Sequence, residues 1–230
     1  MRRDRPIPIL LYHSISDDPD PWIRRFAVTP RAFARHLDMV AASGGATLTV
    51  SAFADALARD MAATLYATTG FLGRRGPGGA RMLGWRDLLD MAWGSGAVEI
   101  GGHTHSHPQL DVVGPARARE EIAGCRTQLE DALGTAPRSF AYPHGYSTAA
   151  VRAMVREAGF DTACAVRNAF SSVGDDRFAL ARLTVRADTP DERIEAWLRG
   201  RGAPVARRHE AVRTRAGRLA RRVRARTRAS

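Results

Sequence analysis

Three of the chain's seven histidines fall within five residues, at His103, His105 and His107. Neutral imidazole is a common metal ligand, and two imidazoles four residues apart can hold one ion if the backbone turns between them. His103 and His107 have that spacing; His105 is expected to point elsewhere. An apolar run (Ala97, Val98, Ile100) leads into the cluster, Gly101 and Gly102 break it, and Pro108 closes its exit. The pattern reads as a strand ending in a tight turn, with imidazoles carried at a rigid sheet edge. The plainer alternative is a solvated histidine-rich loop that holds no ion.

The elements that must position these groups alternate in type. Ile7–Tyr12 is a short apolar run suited to a buried parallel strand, and it delivers His13 to its C-terminal end, where α/β barrels place their chemistry. Thr29-Pro30 opens a helix through about Ala42, and a second helix is expected over Ala52–Arg59. Met61–Ala67 reads as a strand, Gly84-Trp85 opens a helix to about Trp93, and Pro115–Leu133 is a long amphipathic helix ended by Gly134. Ser139–Tyr142, Thr162–Val166 and Leu180–Val185 read as strands, with helices at Thr148–Ala158 and Pro190–Leu198. Strands alternating with helices imply an α/β fold built on a parallel sheet with right-handed crossovers.

Charge divides the chain in two. Residues 201–230 carry eleven arginines against one acid, Glu210, and so hold nearly all of the net charge of +11. The expected organisation is a near-neutral domain over residues 1–200 and an arginine-rich tail over 201–230. The tail reads first as a disordered solvated segment; its functional readings are contact with an anionic membrane surface or nonspecific phosphate, with no aromatic interleaving for specific nucleic-acid reading. Cys125 and Cys164 provide no disulfide framework and are expected to be buried free thiols. No run of about 18 apolar residues offers a membrane span, and Ile7–Tyr12 is too short and proline-broken for a signal peptide. The expected location is the cytoplasm, peripheral to the inner membrane surface if the tail binds there.

Four stretches together resemble the polysaccharide deacetylase family, the NodB-homology domain of carbohydrate esterase family four. They are Ile9-Leu10-Leu11-Tyr12-His13-Ser14-Ile15, Ala63-Thr64-Leu65-Tyr66-Ala67-Thr68-Thr69-Gly70-Phe71, Glu99–Leu110, and Arg138-Ser139-Phe140-Ala141-Tyr142-Pro143-His144-Gly145. The Tyr-His-Ser-Ile start is similar to the biofilm-polysaccharide deacetylase branch. The resemblance implies a distorted (β/α)7 barrel and hydrolysis of acetyl groups from N-acetylated sugars or polysaccharide, assisted by a divalent metal: zinc, with nickel or cobalt as alternatives. It further implies His103 and His107 as the imidazole ligands, His13 as the acid that protonates the leaving amine, Arg138 as the residue orienting the base, and the Tyr142 backbone N–H as oxyanion donor.

One departure is specific. The family's Thr-Phe-Asp-Asp-Gly motif, source of the base and the third metal ligand, is absent from this chain. It belongs near Asp60, so the barrel is expected to lack one β-α unit of roughly 25 residues. Asp17-Asp18 and Asp175-Asp176 follow no apolar strand and are expected to be loop caps. Two other functions are thereby kept open: a non-catalytic carbohydrate-binding relative, and a membrane-surface or nucleic-acid-associated protein acting through its tail.

Overall fold

Helix ends fall where the capping chemistry puts them. The computed structural model describes residues 5–51, 62–76, 79–94 and 96–206. Helix α1 spans Pro30–Ala42, with the Thr29 hydroxyl accepting from Ala32 N at 3.1 Å. It is followed by α2 (Trp85–Gly94), α3 (Pro115–Leu133), α4 (Ala149–Glu157) and α5 (Asp191–Leu198). Gly134 ends α3 at φ 71°, a left-handed conformation that a residue without Cβ adopts at little cost.

The strands are short and their pairings are all parallel. They are β1 (Leu10–Leu11), β2 (Ser14–Ile15), β3 (Ala27–Val28), β4 (Ala63–Ala67), β5 (Val98–Gly102), β6 (Ser139–Ala141), β7 (Thr162–Cys164) and β8 (Leu183–Thr184). The main sheet runs β4-β5-β6-β7, while β1 pairs with β8 and β2 with β3. A parallel bridge from Cys164 to Leu180 continues β7 toward β8, so the wall curves on to β1. This is the expected α/β arrangement of a deacetylase-type barrel, incomplete among the described residues between β4 and β1.

Alternation along the strands separates an inner from an outer layer. Ile9, Val50, Tyr66, Ala141, Cys164 and Leu180 pack together inside the barrel. Outward, Ile100, Cys125 and Leu129 join β5 to α2 and α3. Phe140, Tyr142 and Val155 lie beneath α4, and Leu183, Ile194 and Trp197 lie beneath α1 and α5. Both cysteines are buried free thiols, as expected.

Among the described residues β4 pairs only with β5, and segment 47–51 is fastened beside it by side-chain hydroxyls. Thr64 Oγ1 accepts from Val50 N at 2.9 Å, and Thr47 Oγ1 accepts from Ala62 N at 2.7 Å. The Glu99 carboxylate takes bonds from Ser51 N (3.3 Å), from Thr64 Oγ1 (3.0 Å) and from the Ser51 hydroxyl. These bonds fasten segment 47–51 to β4 and β5, and Val50 packs in the interior cluster beside Tyr66. The expected Ala52–Arg59 helix, Asp60 and the junction missing a β-α unit lie outside the described residues, as does the chain beyond Ala206.

Two expectations change. Gly101 and Gly102 do not break the strand; they are its last two residues, and a Cβ on Gly101 would sit 2.6 Å from Tyr66 Cε1. The body also extends past residue 200: Phe170 N donates to Pro204 O and Ala206 N to Phe170 O, both at 2.8 Å, with a parallel bridge from Phe170 to Val205. Among the described residues no helix is long and apolar enough to cross a membrane. Substituting Gly101→Ala should destabilise the fold by about 1–3 kcal/mol through overpacking against Tyr66. Urea unfolding should show a lower midpoint at unchanged slope; an unaltered midpoint would contradict the close approach.

Candidate active site

At the C-terminal mouth of the barrel, β5 hands the chain to the histidine cluster. His103 N donates to Ala67 O at 2.9 Å, extending the β4–β5 ladder by one residue. Alternation then turns the His103 ring inward across β6, where Nδ1 lies 2.6 Å from Ala141 O. A carbonyl oxygen can only accept, so Nδ1 carries the proton and Nε2 keeps a bare lone pair. Burial, helped by the neighbouring His107, pulls the His103 pKa down to about 3, which keeps the ring neutral.

The turn that brings His107 back is not helical. Thr104 (φ 66°) and His107 (φ 60°) both occupy the left-handed region, a strained choice for residues with a Cβ. The loop is held by side chains: Thr104 Oγ1 accepts from His107 N at 3.0 Å. Ser106 N donates to Glu121 Oε2 at 2.7 Å, and the Ser106 hydroxyl bonds the same carboxylate. Glu121 is buried on α3. As a result His107 Nε2 lies 3.2 Å from His103 Nε2. Two bare lone pairs repel at that distance, so a proton or a shared cation must lie between them. His105 points away, its Nδ1 3.2 Å from Gln128 Oε1 and 3.1 Å from Thr69 Oγ1.

Two more imidazoles approach the pair. The His144 ring centroid is 4.8 Å from that of His107, and His144 too is left-handed, at φ 57°. His13 is near enough to His107 for their charges to interact. Its backbone is positioned from outside: the Asp191 carboxylate accepts from His36 Nε2 (3.3 Å), leaving Nδ1 to accept from the Tyr12 hydroxyl (3.0 Å). With Tyr12 held outward, alternation sends His13 toward the barrel axis. His13 is exposed on its solvent side, but crowding by the cleft walls, then the charge of Arg182, lower its pKa to about 4. Burial, followed by repulsion from His144, also lowers His107 to about 4.

The structure does not bring Arg138 and Tyr142 to this cleft. Arg138 precedes β6, at the end away from Ala141, and its Nε donates to Asp161 at 2.7 Å. Tyr142 faces the outer core, with its hydroxyl donating to Phe178 O at 2.9 Å and its N–H to Cys164 O at 3.1 Å. That N–H belongs to the β6–β7 ladder and is not presented to a substrate oxygen. Asp175 and Asp176 are loop caps, accepting from Ser172 N (3.0 Å) and Phe178 N (2.9 Å). Among the described residues no group of three or more His, Cys, Asp or Glu is arranged to hold a metal ion. The imidazole pair itself fits a soft-to-borderline cation: both rings are neutral, one tautomer is fixed, and their Nε2 atoms face each other.

Fold and site together define a parallel α/β barrel with an imidazole pair at its C-terminal mouth. The family model described as polysaccharide deacetylase matches residues 44–163, and the chain belongs to that family. A polysaccharide deacetylase of Bacillus cereus superposes with TM-score 0.70 at 20% identity, over 84% of this chain and 69% of that one. IcaB of Ammonifex degensii superposes at 0.68 with 22% identity, over 85% and 98%. The BpsB deacetylase domain of Bordetella bronchiseptica superposes at 0.56 with 15% identity, over 79% and 96%. No curated protein matches the chain.

The depressed imidazoles set a pH dependence for the metal-free protein. Unfolded histidine titrates near 6.5, whereas folded His13, His103 and His107 resist protonation down to about 4, 3 and 4. Below about pH 6.5 the unfolded state therefore binds more protons. Stability is full above that pH and should decline as pH falls toward 4. Urea midpoints measured in chelator should show this decline, shallower in a His103→Asn/His107→Asn double variant; equal slopes would contradict the burial of these rings.

Proposed function

We propose that the chain is a metal-assisted hydrolase that removes acetyl groups from an N-acetylated amino sugar or polysaccharide. The observation that carries this reading is the pair of Nε2 atoms 3.2 Å apart, one of them bare because Ala141 holds the proton on the other nitrogen. His103 and His107 would hold a divalent ion, with zinc favoured by two imidazoles and nickel or cobalt as alternatives. When bound, such an ion supplies Lewis-acid polarisation of the acetyl carbonyl and makes a coordinated water more acidic.

The protein's own groups divide the remaining work. His13, neutral at neutral pH, accepts a proton from the attacking water. The resulting imidazolium is a strong acid because burial and Arg182 disfavour it. It passes that proton to the amide nitrogen as the C–N bond breaks, leaving the amine and acetic acid, which ionises to acetate by giving its proton to the amine. Glu121 and Thr104 keep the His107 loop in its strained form. The third ligand is assigned to no described residue, and Asp60 is the acid nearest in sequence to where the family carries one. A second reading, a sugar-binding relative without turnover, is favoured by the absence of a three-ligand group among the described residues. Tail contact with an anionic membrane surface is a separate proposal, supported by the eleven arginines of residues 201–230.

The test uses the full chain loaded with zinc and an N-acetylglucosamine oligomer, following acetate release. The expected result is turnover that chelator abolishes. His103→Ala should weaken zinc binding by more than the roughly 10–100-fold typical of losing a supporting partner, and His105→Ala should leave it unchanged. Stoichiometric zinc without acetate release would favour the binding reading. Turnover untouched by chelator would contradict the proposal.

A further inference from the structure

Two arginines adjoin an aromatic at Arg24-Arg25-Phe26, and a third, Arg186, follows shortly after β8. The fold brings these segments together beside His13. Ser14 of β2 is in register with Ala27 of β3, so Phe26 falls next to His13. Val185 N donates to Leu11 O at 3.0 Å and Ala187 N to Arg25 O at 3.1 Å, which sets Arg186 at the same level. Phe26 is the centre of the group. Its ring centroid lies 5.0 Å from that of His13, 5.1 Å from the Arg25 guanidinium carbon and 5.8 Å from that of Arg186.

Both guanidiniums lie within the roughly 6 Å at which an aromatic ring attracts a cation. Such contact engages the flat face of a guanidinium and leaves its N–H donors, which lie in the plane, directed past the ring. Arg25 and Arg186 are exposed, so those donors reach the solvent side of the cleft. Two like charges on one ring also repel, and an anion beside them offsets that repulsion. Carboxylate and phosphate oxygens match the planar fork better than a neutral hydroxyl does. The same loops carry Asp17, Asp18, Asp20 and Asp188. Net charge therefore does not favour an anion here; the placement of two cations on one ring does.

We propose that Arg25 and Arg186 hold an anionic group of the substrate, a carboxylate or phosphate borne by the glycan close to the acetamido sugar at His13. The substrate class is then an acidic glycan rather than a neutral polymer. Phe26 ties both cations to the His13 ring, so the charged group and the reacting amide are read at a fixed separation. That the anion belongs to an N-acetylated sugar rests on the proposed function; the anion site itself does not.

The experiment measures binding to the metal-free full chain by calorimetry, with probes that share the acetamido sugar and differ in charge. A hyaluronan hexasaccharide, which carries carboxylates, is compared with the neutral N-acetylglucosamine hexamer, and N-acetylglucosamine 1-phosphate with N-acetylglucosamine. At least one charged probe should bind about tenfold or more tightly than its neutral counterpart, an advantage that shrinks as salt rises. Which probe shows it distinguishes a carboxylate from a phosphate. An Arg25→Gln/Arg186→Gln double variant should lose the advantage and leave neutral binding unchanged. Arg119→Gln, which removes an exposed charge on α3, should change neither. The site is refuted if neither charged probe outbinds its counterpart, if the folded double variant keeps the preference, or if Arg119→Gln lowers it as much. Should the double variant fail to fold, the wild-type 15N signals of Arg25 and Arg186 Nε decide, and signals unmoved at saturation overturn the proposal. Charge-dependent binding without acetate release defeats the catalytic reading alone; acetate release without charge preference defeats this site alone.

Discussion

The bond from the His103 ring to the Ala141 carbonyl is the constraint on which the site depends. It ties the end of β5 to the end of β6, so ring position follows from sheet register rather than from a flexible loop. It fixes one tautomer, and only that tautomer aims a lone pair at His107. Because the acceptor is a backbone oxygen, nothing short of disturbing the β6–β7 ladder can move it. The ladder is in turn held by Tyr142, whose N–H donates to Cys164 O while its hydroxyl donates to Phe178 O in the outer core. Tyr142 therefore supports the His103 ring from behind the wall it was expected to line.

A second constraint is the fastening of segment 47–51 to the sheet. Thr47, Val50 and Ser51 are bonded to Ala62 N and to the Thr64 and Glu99 side chains of β4 and β5. The interior beside it combines an apolar bottom around Val50 and Leu180 with a charged group, Arg182, below the imidazoles.

Much of this was legible in the sequence where local chemistry decides the outcome. Thr29-Pro30 and Gly134 fix helix ends, so α1 and α3 match their expected bounds. The outward turn of His105 also followed from spacing. Strand lengths were overestimated because apolar runs such as Ile7–Tyr12 and Leu180–Val185 feed the core beyond the few residues that pair. Gly101 and Gly102 look like breakers in sequence, yet Tyr66 and Phe160 crossing the strand are what require them. Arg138 and Tyr142 were misplaced because motif proximity says nothing about which end of a strand, or which face, a side chain occupies. His144 and Arg182 were passed over. The signal for Arg182 was a lone charge in an apolar run, and that for His144 was an imidazole at the glycine-flanked exit of β6.

The most direct measurement of the central claim is the 15N spectrum of the His103 ring in metal-free protein at neutral pH. The account predicts a neutral ring protonated at Nδ1 and bare at Nε2, with the Nε2 signal moving when zinc is added. A ring protonated at Nε2, or one that titrates near pH 6.5 like a free imidazole, would contradict it.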